Sequence, residues 1–280
     1  MTPEKFLEWA FINYETPLGF YQNNHALQRF FEFNKLHYGH AGRSAPQDQL
    51  ISVIMPVYNR SGVVADAIQS VRDQYYQNWE LLIVDDGSTD DTYSHLEQVL
   101  GELGDERIKL MRLAVNQGVS AARNVGLQAC KGSIISYLDS DNQWYPEFLS
   151  IVVGALDKSK GFSSCYMGQE IWEYLPSVKR SELRSIRACP FNRSKLEQRN
   201  YIDLNVFAHR RDIYEKIGGF REDMRRLVDW EFILRATEQQ PSLFVPVLMN
   251  KYFVGLVDNQ ITKVEVYDAN LQKIRALRHY

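Results

Sequence analysis

From residue 50 onward the apolar positions follow two alternating rhythms. "LISVIMPVY" (50–58) is a continuous apolar run rich in β-branched residues, bounded by Pro56 and Asn59. Such a run reads as a strand buried on both faces. Val64, Ala67, Ile68 and Val71 then recur at helical spacing. "WELLIVDDGSTDD" is a second buried strand closing in acids and Gly87, and Ser88 with Asp91 offers a capping pair for a helix through Leu100. "RIKLMRL" is a third strand, "GVSAARNVGLQAC" a helix and "SIISYL" a fourth strand. Pro146 suits the first turn of a further helix through Leu156. The alternation predicts an α/β fold with a mostly parallel sheet flanked by helices.

Residues 1–45 have a different texture. They hold ten aromatics, from Phe6, Trp9, Phe11 and Tyr14 to Phe33 and Tyr38, about double the density of the whole chain. Thr2 followed by Pro3 is a helix start, and Ala26, Leu27, Phe30 and Phe31 repeat at helical spacing. "HAGRSAPQDQ" (40–49) reads as a linker. The expected organisation is a helical N-terminal appendage over 1–45, a main domain over 46–263 and a C-terminal helix over 264–280. Apolar stripes this dense must bury, either against the main domain or as a contact surface for a second copy or a membrane.

Composition narrows the class. The 280 residues suffice for one large α/β domain or two small ones, and 45% hydrophobic with 24% charged residues is the balance of a soluble globular protein. The net charge of -3 gives no electrostatic case for nucleic acid. Cys130, Cys165 and Cys189 show no metal spacing and read as reduced thiols. No apolar run approaches the ~18 residues of a membrane span, and the first residues do not look like a secretory signal. A cytoplasmic protein, at most peripheral at a membrane, is expected. Residues 179–199 depart from the overall charge: seven Lys and Arg face two Glu, net +5. That segment is either a solvated loop or one that closes on a diphosphate or an anionic acceptor.

Three strand ends carry polar signatures, "PVYN", "DDGSTD" and "DSDN". In open sheets ligands bind beyond the carboxyl ends of the strands, so the three should converge on one site. Neither the dinucleotide nor the P-loop glycine pattern is present. Asp139 and Asp141 stand one residue apart and repel each other. Either they sit in a water-exposed turn, or a cation lies between them. Carboxylates near a phosphate ligand make sense with Mg²⁺ or Mn²⁺ as the bridge.

"ISVIMPVYNR", "ELLIVDDGSTDDT", "NQGVSAARNVGLQACKGSIISYLDSDN" and "VDWEFILR" together resemble the family 2 glycosyltransferases of GT-A (Rossmann-like) fold. The resemblance runs from about residue 50 to 160 and resumes from about 204 to 240. It implies an inverting, metal-dependent transfer of a sugar from a nucleoside diphosphate sugar, UDP-sugars first, to a glycan or lipid-linked acceptor. Such chemistry serves cell-surface polysaccharide or glycoconjugate synthesis. A non-processive enzyme is implied, since the Q-x-x-R-W motif of processive relatives is missing.

The resemblance also assigns residues. Pro56 and Tyr58, with Asn59, meet the nucleoside, and Tyr58 stacks on the base. Asp86 hydrogen-bonds the base, with Asp85 beside it. Arg123 lies near base and phosphates, Asp139 and Ser140 near ribose or sugar, and Asp141 with Asp139 binds the metal. Asp229 is the catalytic base. Val228 stands where the family commonly has Glu, and Asn142 where many relatives have a further acid.

Plainer readings remain beside these. Asp229 also suits the N-cap of the helix "WEFILRATEQ", and Trp230 offers an apolar face for a sugar ring. Arg123 could pair with a structural carboxylate. "GGF" (218–220) is a turn or a lining of the sugar pocket, and His209 a strand-end residue rather than a ligand. The competing functions are a sugar nucleotidyltransferase, for which "PVYNRSG" is a poor triphosphate loop, and a non-catalytic sugar-nucleotide-binding subunit.

Overall fold

The computed structural model describes Lys5 and residues 15–44, 47–257 and 271–274. In chain order these hold β1 (Thr16–Pro17), α1 (Leu18–Gln22), α2 (His25–Ser44), β2 (Ile51–Val57), α3 (Val64–Arg72) and β3 (Trp79–Asp85). There follow α4 (Thr92–Leu103), β4 (Ile108–Arg112), α5 (Val119–Ala129), β5 (Ile134–Tyr137), β6 (Gln143–Trp144) and α6 (Phe148–Lys158). The remainder are β7 (Ser164–Leu175), β8 (Arg180–Arg187), α7 (Arg193–Gln198), a 3₁₀ turn (Leu204–Val206), β9 (Phe207–Arg210), α8 (Arg211–Ile217), α9 (Val228–Ala236) and β10 (Leu243–Val254).

The ten strands among the described residues form one sheet in the order β1-β8-β7-β9-β5-β2-β3-β4, with β10 beside β7 and β6 beside β10. The centre is parallel, as the alternation predicts: β4, β3, β2 and β5 run side by side in one direction. Beyond β5 the sheet turns antiparallel through β9, β7 and β8. β2 and β3 are buried along their whole length. Ile51, Val53 and Met55 face one layer with Val64, Ile68 and Phe148, while Ile54 and Leu82 face the other with Leu127, Phe232 and Ile233. Helices cover both faces, which is why these strands show no polar alternation. A Cβ on Gly126 would lie 2.6 Å from Cγ2 of Ile54, so only glycine lets α5 approach β2 this closely.

Several local expectations need correction. Asp91 makes no side-chain cap on α4; Asp90 Oδ1 accepts from the Thr92 amide at 2.9 Å instead. Ser88 is used elsewhere, its hydroxyl accepting from the Asn59 amide. α2 continues through Ser44, into the stretch read as a linker. Residues 179–199 do not form a loop: β8 and α7 occupy most of them. His209 is a buried strand residue 2.9 Å from the Tyr137 hydroxyl. The three cysteines are free, buried thiols. No helix among the described residues is long and apolar enough to cross a membrane.

Residues 15–44 pack directly on the sheet. β1 pairs antiparallel with β8, Thr16 opposite Ile186. Leu27 and Phe31 are buried against Ile186, Ala188 and Leu248. Lys35 reaches Glu147 at 3.2 Å, tying α2 to the residue just before α6. The aromatic positions Phe6, Trp9, Phe11 and Tyr14 and the Thr2–Pro3 helix start lie outside the described residues. Of the expected C-terminal helix only 271–274 is described; it is helical, with Ile274 buried.

Because Leu27 is fully buried against the sheet, Leu27→Ala is expected to destabilise the protein by about 2–5 kcal/mol. Equilibrium urea unfolding should show one transition shifted to lower denaturant. A separate early transition with the main one unmoved would mean that α2 is not part of the common core.

Candidate active site

A cavity of about 460 Å³ opens beyond the carboxyl ends of β2, β3 and β5, within the size range of small-molecule sites. Its first wall is Pro56, Val57, Tyr58 and Arg60, where β2 ends. Asn59, expected with them, is not a lining residue. It adopts φ +52° and spends its amide on Thr89, accepting from the backbone at 2.9 Å and donating to the hydroxyl at 3.2 Å. This brace ties the ends of β2 and β3 together.

Asp85 and Asp86 part company at the end of β3. Asp85 is fully buried away from the cavity, 3.2 Å from Nε of Arg112, and accepts the Ser88 amide. Its expected place beside the ligand is therefore corrected; successive residues at a strand end face opposite sides. Asp86 lines the cavity. Its two oxygens accept from the amides of Gln117 and Gly118, each at 2.8 Å. Burial raises its pKa above the usual range, more than those amides lower it. The pair of bonds holds the loop entering α5 open, with Gly118 at φ +97° packed against the Arg225 guanidinium.

The centre of the cavity is Asp139, just past β5. Arg123, buried on α5, donates to its Oδ1 at 2.7 Å, and Asn205 donates to its Oδ2 at 3.0 Å. The Asp139 amide returns a bond to Asn205 Oδ1 at 2.7 Å. Arg123 thus pairs with a carboxylate, as its plainer reading held, and still lines the cavity. Ser140 and Asp141 line the same wall, with Asp141 Oδ2 3.7 Å from Arg60 Nε. Among the described residues no three His, Cys, Asp or Glu side chains form a cage for a metal. One or two carboxylates beside an open, polar cavity are nonetheless the protein share that Mg²⁺ or Mn²⁺ takes when phosphate oxygens and water complete its shell. The donor set fits such an ion.

Across from these acids stands Asp229, in the first turn of α9. It is not the N-cap; Leu227 holds that position at φ +62°, an uncommon conformation for a leucine. Asn200 donates to Asp229 Oδ2 at 2.8 Å. Burial pushes the Asp229 carboxyl up, against the Trp230 amide, the charge of Arg123 and Asn200, which all favour ionisation. Trp230 does not offer a sugar-binding face: it is buried, with Nε1 donating to the Leu196 carbonyl. Of "GGF", Gly218 takes φ +75° as a turn residue, and none of the three lines the cavity.

The structure adds residues that the motifs did not announce. Asp203 lines the cavity, shares Asn205 with Asp139, and has its pKa raised by burial and then by Asp229 and Asp139. Tyr252 on β10, Asn200 and the pair Arg225–Arg226 also line it. Arg60 was within reach, as the last letter of "ISVIMPVYNR". Tyr252 sits in an apolar strand and carried no local signal. The lining holds five arginines and five aspartates, so a ligand bearing both charge and hydroxyl groups suits it better than an apolar one.

The sequence profile described as Glycosyl transferase family 2 matches residues 52–218. An uncharacterized glycosyltransferase of Haemophilus influenzae is 45% identical over 93 residues, 33% of this chain and 36% of that protein. The UDP-Glc:alpha-D-GlcNAc-diphosphoundecaprenol beta-1,3-glucosyltransferase WfgD of Escherichia coli is 40% identical over 124 residues, 44% of this chain and 47% of that protein. These alignments thus span less than half the length of either relative. Among solved structures, S. aureus TarS 1-349 in complex with UDP-GlcNAc superposes with a TM-score of 0.64 at 17% identity, covering 81% of this chain and 64% of that one.

Asn205 is the neutral spacer between Asp139 and Asp203. Asn205→Asp would add a third negative charge there, and a loss of about 1–3 kcal/mol is expected at neutral pH. Protonation removes the added charge, so the loss should shrink as pH falls through the carboxyl range. Asn205→Leu should lose stability without this recovery, both read by urea unfolding at neutral and acid pH.

Proposed function

The chain belongs to glycosyl transferase family 2, and from that premise we propose an inverting, non-processive transfer of a sugar from a UDP-sugar to a hydroxyl of a glycan or lipid-linked acceptor. Cell-surface polysaccharide or glycoconjugate synthesis is the setting in which we place it. The observation that carries the reading is the meeting in one cavity of the strand-end residues Tyr58, Asp86 and Asp139 with Asp229, a carboxyl from the later part of the chain. WfgD, named for transfer from UDP-Glc to a diphosphoundecaprenol-linked sugar, supports the donor and acceptor classes.

In this reading Pro56 and Tyr58 form the face on which the base stacks. Asp86 shapes the nucleoside end by holding the backbone of Gln117 and Gly118. Asp139, fixed by Arg123 and Asn205, presents oriented carboxylate lone pairs toward ribose or sugar hydroxyls. Asp141, with Asp139, would hold a divalent cation, which when bound supplies Lewis-acid neutralisation of the leaving diphosphate. Asp229 takes the proton of the acceptor hydroxyl as its oxygen bonds to the anomeric carbon. The bond from that carbon to the diphosphate breaks, and the diphosphate leaves with the electron pair. One displacement inverts the centre. Burial suits Asp229 to this task, because a carboxylate with a raised pKa is the stronger base. Val228 lines the cavity where the family commonly places Glu, so the residue just before the base brings no carboxylate of its own.

A UDP-sugar panel with Mn²⁺, read by UDP release, tests the reading against a mere binding module; binding of UDP without release from any donor would support the latter. Asp229→Asn keeps an acceptor oxygen for Asn200 but cannot take a proton. Its kcat is expected to fall by ~10²–10⁴ with UDP affinity retained. In the wild type the acid limb of kcat should lie above the ordinary aspartate range, since activity is lost as pH falls through a raised pKa. Asp141→Ala should weaken UDP binding in Mn²⁺, and EDTA should do the same to the wild type. Equal UDP affinity with and without EDTA would count against the cation.

A further inference from the structure

The cavity has two ends, and the sheet order separates them. β2 and β3, with Tyr58 and Asp86, lie to one side of β5; β9, β7 and β8 lie to the other. Arg187, the last residue of β8, lines the cavity from that far side, as does Tyr252 of β10. If the nucleoside occupies the β2–β3 end, the far side is where the acceptor approaches Asp229.

Arg187 is not held by residues of the family-matched stretch alone. Its Nε and Nη2 both lie 3.3 Å from Oε2 of Glu15, which is outside residues 52–218. The other Glu15 oxygen accepts from the Ser185 hydroxyl. β1, immediately after Glu15, pairs with Ser185 and Ile186 of β8. The guanidinium also stands 5.8 Å from the Tyr252 ring centre. Glu15 therefore grips one edge of the guanidinium while a strand pair fixes where Glu15 sits. Arg184, on the same strand, is exposed and does not line this cavity. The net +5 of the 179–199 segment thus reduces, at the cavity, to one oriented arginine.

A planar guanidinium in a fixed orientation is matched to carboxylate or phosphate. Glu15 has a second effect. Asp203 and Asp229 line the same cavity as Arg187, and an arginine released from Glu15 would be drawn toward such carboxylates. We propose that Arg187 binds an oxyanion of the acceptor, a phosphate or a sugar carboxylate, and that Glu15 in the N-terminal appendage is its positioning residue. This rests on the transferase reading for which end receives the acceptor.

The test uses the full chain saturated with UDP and Mn²⁺, titrated calorimetrically with phenyl phosphate in one arm and glucuronate in the other. At least one probe should bind, and which one identifies the oxyanion's source. Its affinity should fall about tenfold in Arg187→Gln, the worth of a charged hydrogen bond. Arg187→Lys should not restore it, because an ammonium lacks the fork. Glu15→Ala should show the same loss, with the double variant no worse than Arg187→Gln alone, and Arg184→Gln should be silent. Ser185→Ala, which loosens Glu15 and keeps its charge, should move in the same direction if Glu15→Ala proves unstable. Probe binding that is absent, or indifferent to Arg187, overturns the subsite. Additive losses, or Glu15→Ala and Ser185→Ala both at wild-type affinity, overturn the positioning role. Wild-type protein that fails to bind UDP would instead sink the transferase reading; intact UDP binding with probes indifferent to Arg187 sinks this inference alone.

Discussion

Three carboxylates, Asp139, Asp203 and Asp229, face one partly buried cavity, and their mutual repulsion must be offset for the fold to hold. The offset is the pair of donors on Asp139. Arg123 supplies a positive charge from α5, and Asn205 supplies neutral hydrogen bonds to Asp139 and Asp203 at once. A buried Arg–Asp pair alone is weak ground for stability, but here it fixes geometry: α5, β5 and the turn before β9 meet at one atom group. The same arginine tempers the upward shift that burial gives Asp229.

The nucleotide end depends on a second economy of polar groups. Asp86 satisfies two loop amides that would otherwise open into the cavity, and Asn59 satisfies the loop after β3. Neither residue is idle, yet only Asp86 faces the ligand space. Residues of this kind combine support and lining, which is how a rigid sheet holds irregular loops to a shared mouth. At the opposite end Arg187 lines the wall and is braced from outside the family-matched stretch: Glu15 holds its guanidinium, β1 pairs with β8, and α2 packs on Ile186 and Ala188. The long aromatic N-terminal region therefore contributes to the surroundings of the cavity as well as to burial.

Much of this was legible in the chain itself. Strands buried on both faces read as unbroken apolar runs, so β2, β3 and β5 appear at their expected places, and their polar ends converge because parallel strands share one carboxyl edge. Asp139, Asp141 and Asp229 meet in a single cavity for that reason and because α9 packs over that edge. What local pattern could not decide was the side each residue faces. Asp85 and Asp86 are chemically identical neighbours, and only the strand's pleat and the position of Arg112 send one inward to the sheet and the other to the cavity. Trp230 reads as a sugar platform beside Asp229, but helix geometry turns it toward the core. Arg187, Asp203 and Tyr252 come from segments far apart in sequence and meet only through the β8–β7–β10 pairing and the turn before β9. Periodicity and strand-end chemistry are properties of neighbours along the chain and can be read there; facing, pairing and the balance of charge in a cavity depend on long-range contacts, which exist only once the sheet has closed.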